Sequence, residues 1–115
     1  MKVIVCGDRN WTNKEAIKRE LSEFPPCTEV IHGGCRGADI LAGDAARELG
    51  FNVRVVVAQW NLHGRAAGPI RNQKMLDNNP HYVLAFHADI ENSKGTKHMV
   101  SIATKSGTPV LVYKE

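Results

Sequence analysis

The sequence predicts a single α/β domain over residues 1–115: a mainly parallel five-stranded sheet with helices on both faces, in three layers. Three observations predict it. Five short β-rich runs alternate with segments of helical periodicity, the pattern of repeated strand–helix units. The runs are mostly apolar without strict alternation, which suits strands covered on both sides. Finally, 115 residues at 43% hydrophobic content suffice for one core but not for two.

The elements follow in order. "KVIVC" is the first strand. The first helix is expected to start at Thr12, because its hydroxyl and Glu15 three residues on match a capping box. Ile17, Leu21 and Phe24 then form its buried stripe, and Pro25-Pro26 ends it. "TEVIH" is the second strand, and the second helix opens just after the glycines that follow. It carries Ala38, Leu41, Ala42, Ala45 and Leu49 on one face, with Gly50 as its stop. "NVRVVV" is the third strand. A long loop through Trp60 leads to a helix opening at Gly68-Pro69, where proline is tolerated in the first turn, and stopping before Pro80. "HYVLAF" is the fourth strand. The last helix runs from Gly95-Thr96 to Gly107, burying Met99, Ile102 and Ala103, and "PVLVY" closes the sheet.

Composition excludes several function classes. No apolar run approaches the roughly 20 residues needed to span a bilayer, and the start turns polar too early for a secretory signal, so no membrane partner and a cytoplasmic setting are expected. Cys6, Cys27 and Cys35 are odd in number and lack C-x-x-C spacing, which points to free thiols. The five histidines do not repeat at ligand spacing, so neither a metal nor a cofactor is expected, and His32 reads as a structural histidine. The serines lack a G-x-S-x-G elbow. The net charge of +3 is scattered, and an anionic small ligand explains it as well as DNA does. Nothing fixes the oligomeric state; a homo-oligomer is compatible with the sequence.

In a parallel sheet, strand C-terminal ends and helix N-termini gather on one edge, where ligands bind. Four stretches meet there: "CGDRN", "HGGCRGAD", "AQWNLHGRAAGPIRN" and "FHADIENSKGT". Gly33, Gly34 and Gly37 allow backbone N–H groups to approach an anion and Arg36 adds a planar charged fork, or they make a tight turn beside a solvated arginine. The Lys-Ser/Thr pair of a P-loop is missing. Asp39, in the first turn of the second helix, either caps free N–H groups or accepts from a sugar hydroxyl. Gly7 lets a ligand approach the first strand, while Asp8 and Arg9 contact it or pair with each other. Trp60 either stacks on a base or packs its loop.

Together, "VCGDR", "HGGCRGAD", the Trp60–Met75 pattern W-x-x-x-G-x-x-A-G-x-x-R-N-x-x-M, and "GT" at 95 and 96 resemble the YspA-like members of the SLOG superfamily, in order along nearly the whole chain. That superfamily includes the Lonely Guy phosphoribohydrolases, the YpsA-like proteins and the DprA domain. The resemblance implies a Rossmann-like fold and a nucleotide or nucleotide-derived ligand, contacted by Gly7, Arg9, Gly33, Gly34, Arg36, Gly37, Asp39, Arg71, Asn72, Gly95 and Thr96. The departure lies at Met99, which stands where Lonely Guy enzymes place the glutamate of P-G-G-x-G-T-x-x-E. Methionine cannot act as a general base. The expected role is therefore binding, as sensor, sequesterer or carrier. A nucleoside 5′-monophosphate phosphoribohydrolase is the rival, with Asp8, Asp39 or Glu91 as its candidate catalytic residues. Binding of single-stranded nucleic acid, suggested by the kinship with DprA, is disfavoured by the modest charge and only seven aromatic residues.

Overall fold

The computed structural model describes residues 1–115. Strands β1 (Lys2–Gly7), β2 (Glu29–His32), β3 (Asn52–Val55), β4 (Tyr82–Phe86) and β5 (Val110–Tyr113) form one sheet in the order β3-β2-β1-β4-β5. Every neighbouring pair is parallel. Helices α1 (Lys14–Leu21), α2 (Ala38–Glu48), α3 (Trp60–His63), α4 (Ala67–Leu76) and α5 (Gly95–Lys105) connect the strands. The expected three-layer architecture is the observed one.

Its core follows from the two-residue period of a strand. On one face Val3 and Val5 of β1 pack with Ile17 and Leu21 of α1 and with Ala38, Ala42, Ala45 and Ala46 of α2. On the other, Ile4 and Cys6 pack with Met75 and Leu76 of α4 and with Met99 and Ala103 of α5. Burying each such Leu, Ile or Met contributes about 1.5–3 kcal/mol, so the central strand and its two helix pairs carry most of the stability.

Local differences from the expected elements have physical causes. Helix α1 is capped by Asn13, whose Oδ1 accepts from the Ala16 N–H at 3.1 Å, so Thr12 lies one residue outside and Glu15 is too early to complete a box. Phe24 lies beyond α1 yet still packs on the core, edge-on to Tyr82. Strand β3 stops at Val55 because the last bond to β2 is Val56 N–H to His32 O, and Val57 is 62% exposed. The loop expected around Trp60 contains the one-turn α3 and a 3₁₀ turn over Gly64–Ala66. Helix α4 then begins at Ala67, one residue earlier than expected, with Pro69 still in its first turn.

This topology positions the site. From β1 the chain proceeds to β2 and β3 on one side, whereas β4 and β5 lie on the other. The loop leaving β1 leads to α1 on one face, and the loop leaving β4 leads to α5 on the opposite face. The two loops diverge and leave a crevice beyond the C-terminal ends of β1 and β4, the place where open parallel sheets bind ligands.

Candidate functional site

A cavity of about 440 Å³ fills this crevice, within the range of small-ligand pockets. Its wall has four parts. The end of β1 and the β1–α1 loop contribute Cys6 to Asn10; the start of α2 and the loop before it contribute Cys35, Arg36 and Asp39; α4 contributes Arg71, Asn72 and Met75; and the β4–α5 segment contributes His87 and Ser93 to Thr96. Trp11 anchors the first of these loops by packing edge-on against Phe86 at 5.5 Å and donating its indole N–H to Asn13 O.

Arg71 is the buried strut of the site. Only 8% exposed, it donates from Nη1 to Gly33 O at 2.9 Å and from Nε to Asn72 Oδ1 at 3.0 Å. Asn72 in turn donates from Nδ2 to Gly95 O at 3.2 Å and lies 3.1 Å from His98 Nδ1. The pair therefore ties the β2–α2 loop to the N-terminus of α5 through α4. A buried charge with this many partners is held in one geometry, because releasing it would leave polar groups desolvated and unpaired.

The glycine loop turns inward. Asp39 Oδ2 accepts from the Gly33 N–H at 2.9 Å and from the Cys35 N–H at 3.3 Å, while the Gly34 N–H donates to His32 Nδ1 at 3.0 Å. The anion in this loop is thus a carboxylate of the protein itself, and Asp39 spends one oxygen on the amides before α2 rather than on capping the helix. Burial pushes its carboxyl up from the ordinary 3.8 to about 6, against the opposing pull of the Cys35 and Gly33 N–H groups, Arg71 and Arg9. His32 is 2% exposed, and burial, with the Arg47 charge second, lowers its imidazole below the ordinary value, a direction that favours the acceptor role of Nδ1. Gly37 has φ +79°, and a Cβ there would collide with the backbone of Asp8 and Arg9. At Gly33 an added Cβ would run into the Arg71 guanidinium.

Of the residues expected at the ligand, Gly7, Arg9, Arg36, Asp39, Arg71, Asn72, Gly95 and Thr96 line the cavity, as does Asp8. Gly33, Gly34, Gly37 and Trp60 do not. The glycines are held by internal contacts, with Gly34 beside Val55 and Val57, and Trp60 is 53% exposed on α3. Glu91 also lies outside, on the surface beside Lys97 at 3.2 Å, and Met99 is fully buried in the core under α5. Sequence reasoning passed over His87 and Lys94. Their signal was positional: His87 follows the last residue of β4 and Lys94 precedes the first residue of α5.

Arg9, Arg36, Arg71 and Lys94 face the cavity against the carboxyls of Asp8 and Asp39, and Asp39 is part-neutral near pH 6. The amides of Gly95 and Thr96, and those of Arg36 and Gly37, make no hydrogen bond within the protein. A helix N-terminus and cations converging on one cavity favour an anion.

The family model for YAcAr, described as the YspA, cpYpsA-related SLOG family, matches residues 1–63, from β1 through α3. The chain belongs to this family. It is also 37% identical over 119 residues to the Gene 61 protein of Mycobacterium phage D29, covering 96% of this chain and 94% of that protein. The similarity to the phage protein therefore extends over α4 and α5, which complete the cavity. No solved structure matches the chain. No helix is long and apolar enough to cross a membrane.

Proposed function

We propose that this SLOG-family protein binds a phosphorylated, nucleotide-derived small molecule in the cavity between β1 and β4. The observation that carries the reading is the convergence of Arg9, Arg36, Arg71 and Lys94 with the unbonded amides at the start of α5 on one cavity at the switch point of the sheet. Arg36, exposed at its rim, supplies a charged fork, and Arg71 supplies a fixed charge beneath it. Binding without N-glycosidic cleavage is favoured because Met99 is sealed in the core and Glu91 points to solvent. Asp39 is engaged by backbone amides, so it is poorly placed to stabilise an oxocarbenium charge.

The test is calorimetry with the four common ribonucleoside 5′-monophosphates and their nucleosides. At least one monophosphate is expected to bind, its nucleoside far more weakly. Arg36→Ala should cost the monophosphate about 1.5–3 kcal/mol and the nucleoside much less. Equal losses for both would remove Arg36 from the phosphate site, and no binding by any monophosphate would overturn the reading. Chromatography of the same mixtures is expected to show no free base; release abolished by Asp8→Asn would turn the reading towards a phosphoribohydrolase.

A further inference from the structure

We infer that Asp8 and His87 together read a sugar hydroxyl, so that the cavity selects a ribose-bearing ligand over its deoxy counterpart. The inference rests on the reading above and deepens it. Asp8 lies at the C-terminal end of β1, and its two carboxylate oxygens have different surroundings. Oδ1 accepts from the Asn10 N–H at 2.9 Å, which fixes the carboxylate plane. Oδ2 has no hydrogen bond and lies 4.0 Å from His87 Nε2. The imidazole is oriented from its other side, because His87 Nδ1 accepts from the Asp89 N–H at 2.9 Å. In the neutral ring the proton must then sit on Nε2, the nitrogen that faces Asp8. The cavity wall therefore carries one fixed acceptor and one fixed donor.

The 4.0 Å separation is too long for a direct hydrogen bond. It is the right span for one oxygen placed about 2.8 Å from each atom, donating its proton to Oδ2 and accepting from Nε2–H. Only a group that both donates and accepts can do this. A hydroxyl qualifies, a base carbonyl does not, and a phosphate oxygen is repelled by the carboxylate. The pair is sheltered, with the His87 side chain 15% and the Asp8 side chain 31% exposed, so a lost partner is not fully replaced by bulk water.

The experiment is an amide-resolved NMR titration of the whole chain with the four ribonucleoside 5′-monophosphates and their 2′-deoxy and 3′-deoxy counterparts. Wild type should bind its preferred ribonucleotide about tenfold or more tighter than at least one deoxy form, the one lacking the hydroxyl that is read. In Asp8→Asn the amide oxygen can still hold the Asn10 N–H, but the second atom becomes a donor facing a donor, and the preference should fall below about threefold. His87→Ala should lower it likewise, a second route should Asp8→Asn fold poorly. Binding of ribo and both deoxy forms within threefold by wild type would overturn the inference and leave the phosphate reading standing. A preference unchanged in both variants would place the hydroxyl elsewhere and equally overturn it. No shift with any compound would overturn the inference and the parent reading together.

Discussion

The β2–α2 loop and the β4–α5 loop invite comparison, because each leaves a buried strand, meets glycine at or before the helix start and opens an eleven-residue helix on the same sheet edge. Their glycine amides do opposite things. In the first, the amides of Gly33, Gly34 and Cys35 are all taken by side chains of the protein, and a Cβ on Gly33 or Gly37 would strike a buried guanidinium or the neighbouring backbone. In the second, the amides of Gly95 and Thr96 have no partner, and a Cβ on Gly95 would meet nothing within 4 Å. Glycine therefore marks close approach in the first loop alone, where the approaching group is the protein itself. The second leaves room for something else.

The strongest way to break this comparison is at Gly37. Alanine there combines an unfavourable positive φ with a collision against the Asp8 and Arg9 backbone, and neither can relax without moving the loop that forms the cavity wall. Gly37→Ala is expected to lose about 3 kcal/mol or more of stability by urea unfolding. A loss under about 1 kcal/mol would mean that the loop is pliable and its inward turn is not fixed by packing.

A second experiment tests whether Asp39 is the internal anion of the first loop. Its folded pKa, about 6, lies above the ordinary 3.8, so its contribution to stability is complete below pH 3.8 and is lost as pH rises through 6. Asp39→Asn keeps an acceptor for the two amides and removes the titration. Stability of wild type relative to Asp39→Asn should then fall by about 1–3 kcal/mol between pH 4 and pH 7. A difference that is flat over this window, or that rises, would show the carboxylate to be better compensated by Arg71 and Arg9 than its burial implies.

The sequence disclosed these two loops unequally. Strand runs and helix stripes were legible because hydrophobic period reports burial directly, and all five strands lie where the apolar runs placed them, with β3 shortened at an exposed edge. Helix α3 was not legible, since four residues are too few to show a period. The convergence of Gly95 and Thr96 on the cavity was readable from topology, as both open α5 on the sheet edge, whereas Arg71 and Asn72 reach it from more than a turn inside α4. Where the amides of Gly33 and Cys35 point was not, because their acceptor is a side chain four to six residues on, and no local sequence pattern reports which way it turns. Trp60 shows the same limit, since an aromatic residue in a site loop still stands outside the cavity when its own one-turn helix carries it to the surface.

The gentlest substitution separates the loops most sharply. Gly95 begins α5, has an ordinary helical backbone with no positive φ, and presents open space where a Cβ would go. Alanine is the better helix former and restricts the unfolded chain, so Gly95→Ala should leave stability unchanged or raise it by about 0.5 kcal/mol. The same methyl group would project beside the free amides of Gly95 and Thr96 that we assign to the ligand, holding an anion away from the helix N-terminus. Affinity for the preferred ribonucleoside monophosphate should then drop by about three- to tenfold, the loss of part of one anion–helix interaction. Thermal unfolding and calorimetry on the same sample check both halves. Stability and affinity falling together would make Gly95 a packing glycine like Gly37, whereas unchanged affinity with unchanged stability would move the anion to the amides of Arg36 and Gly37 on the opposite wall.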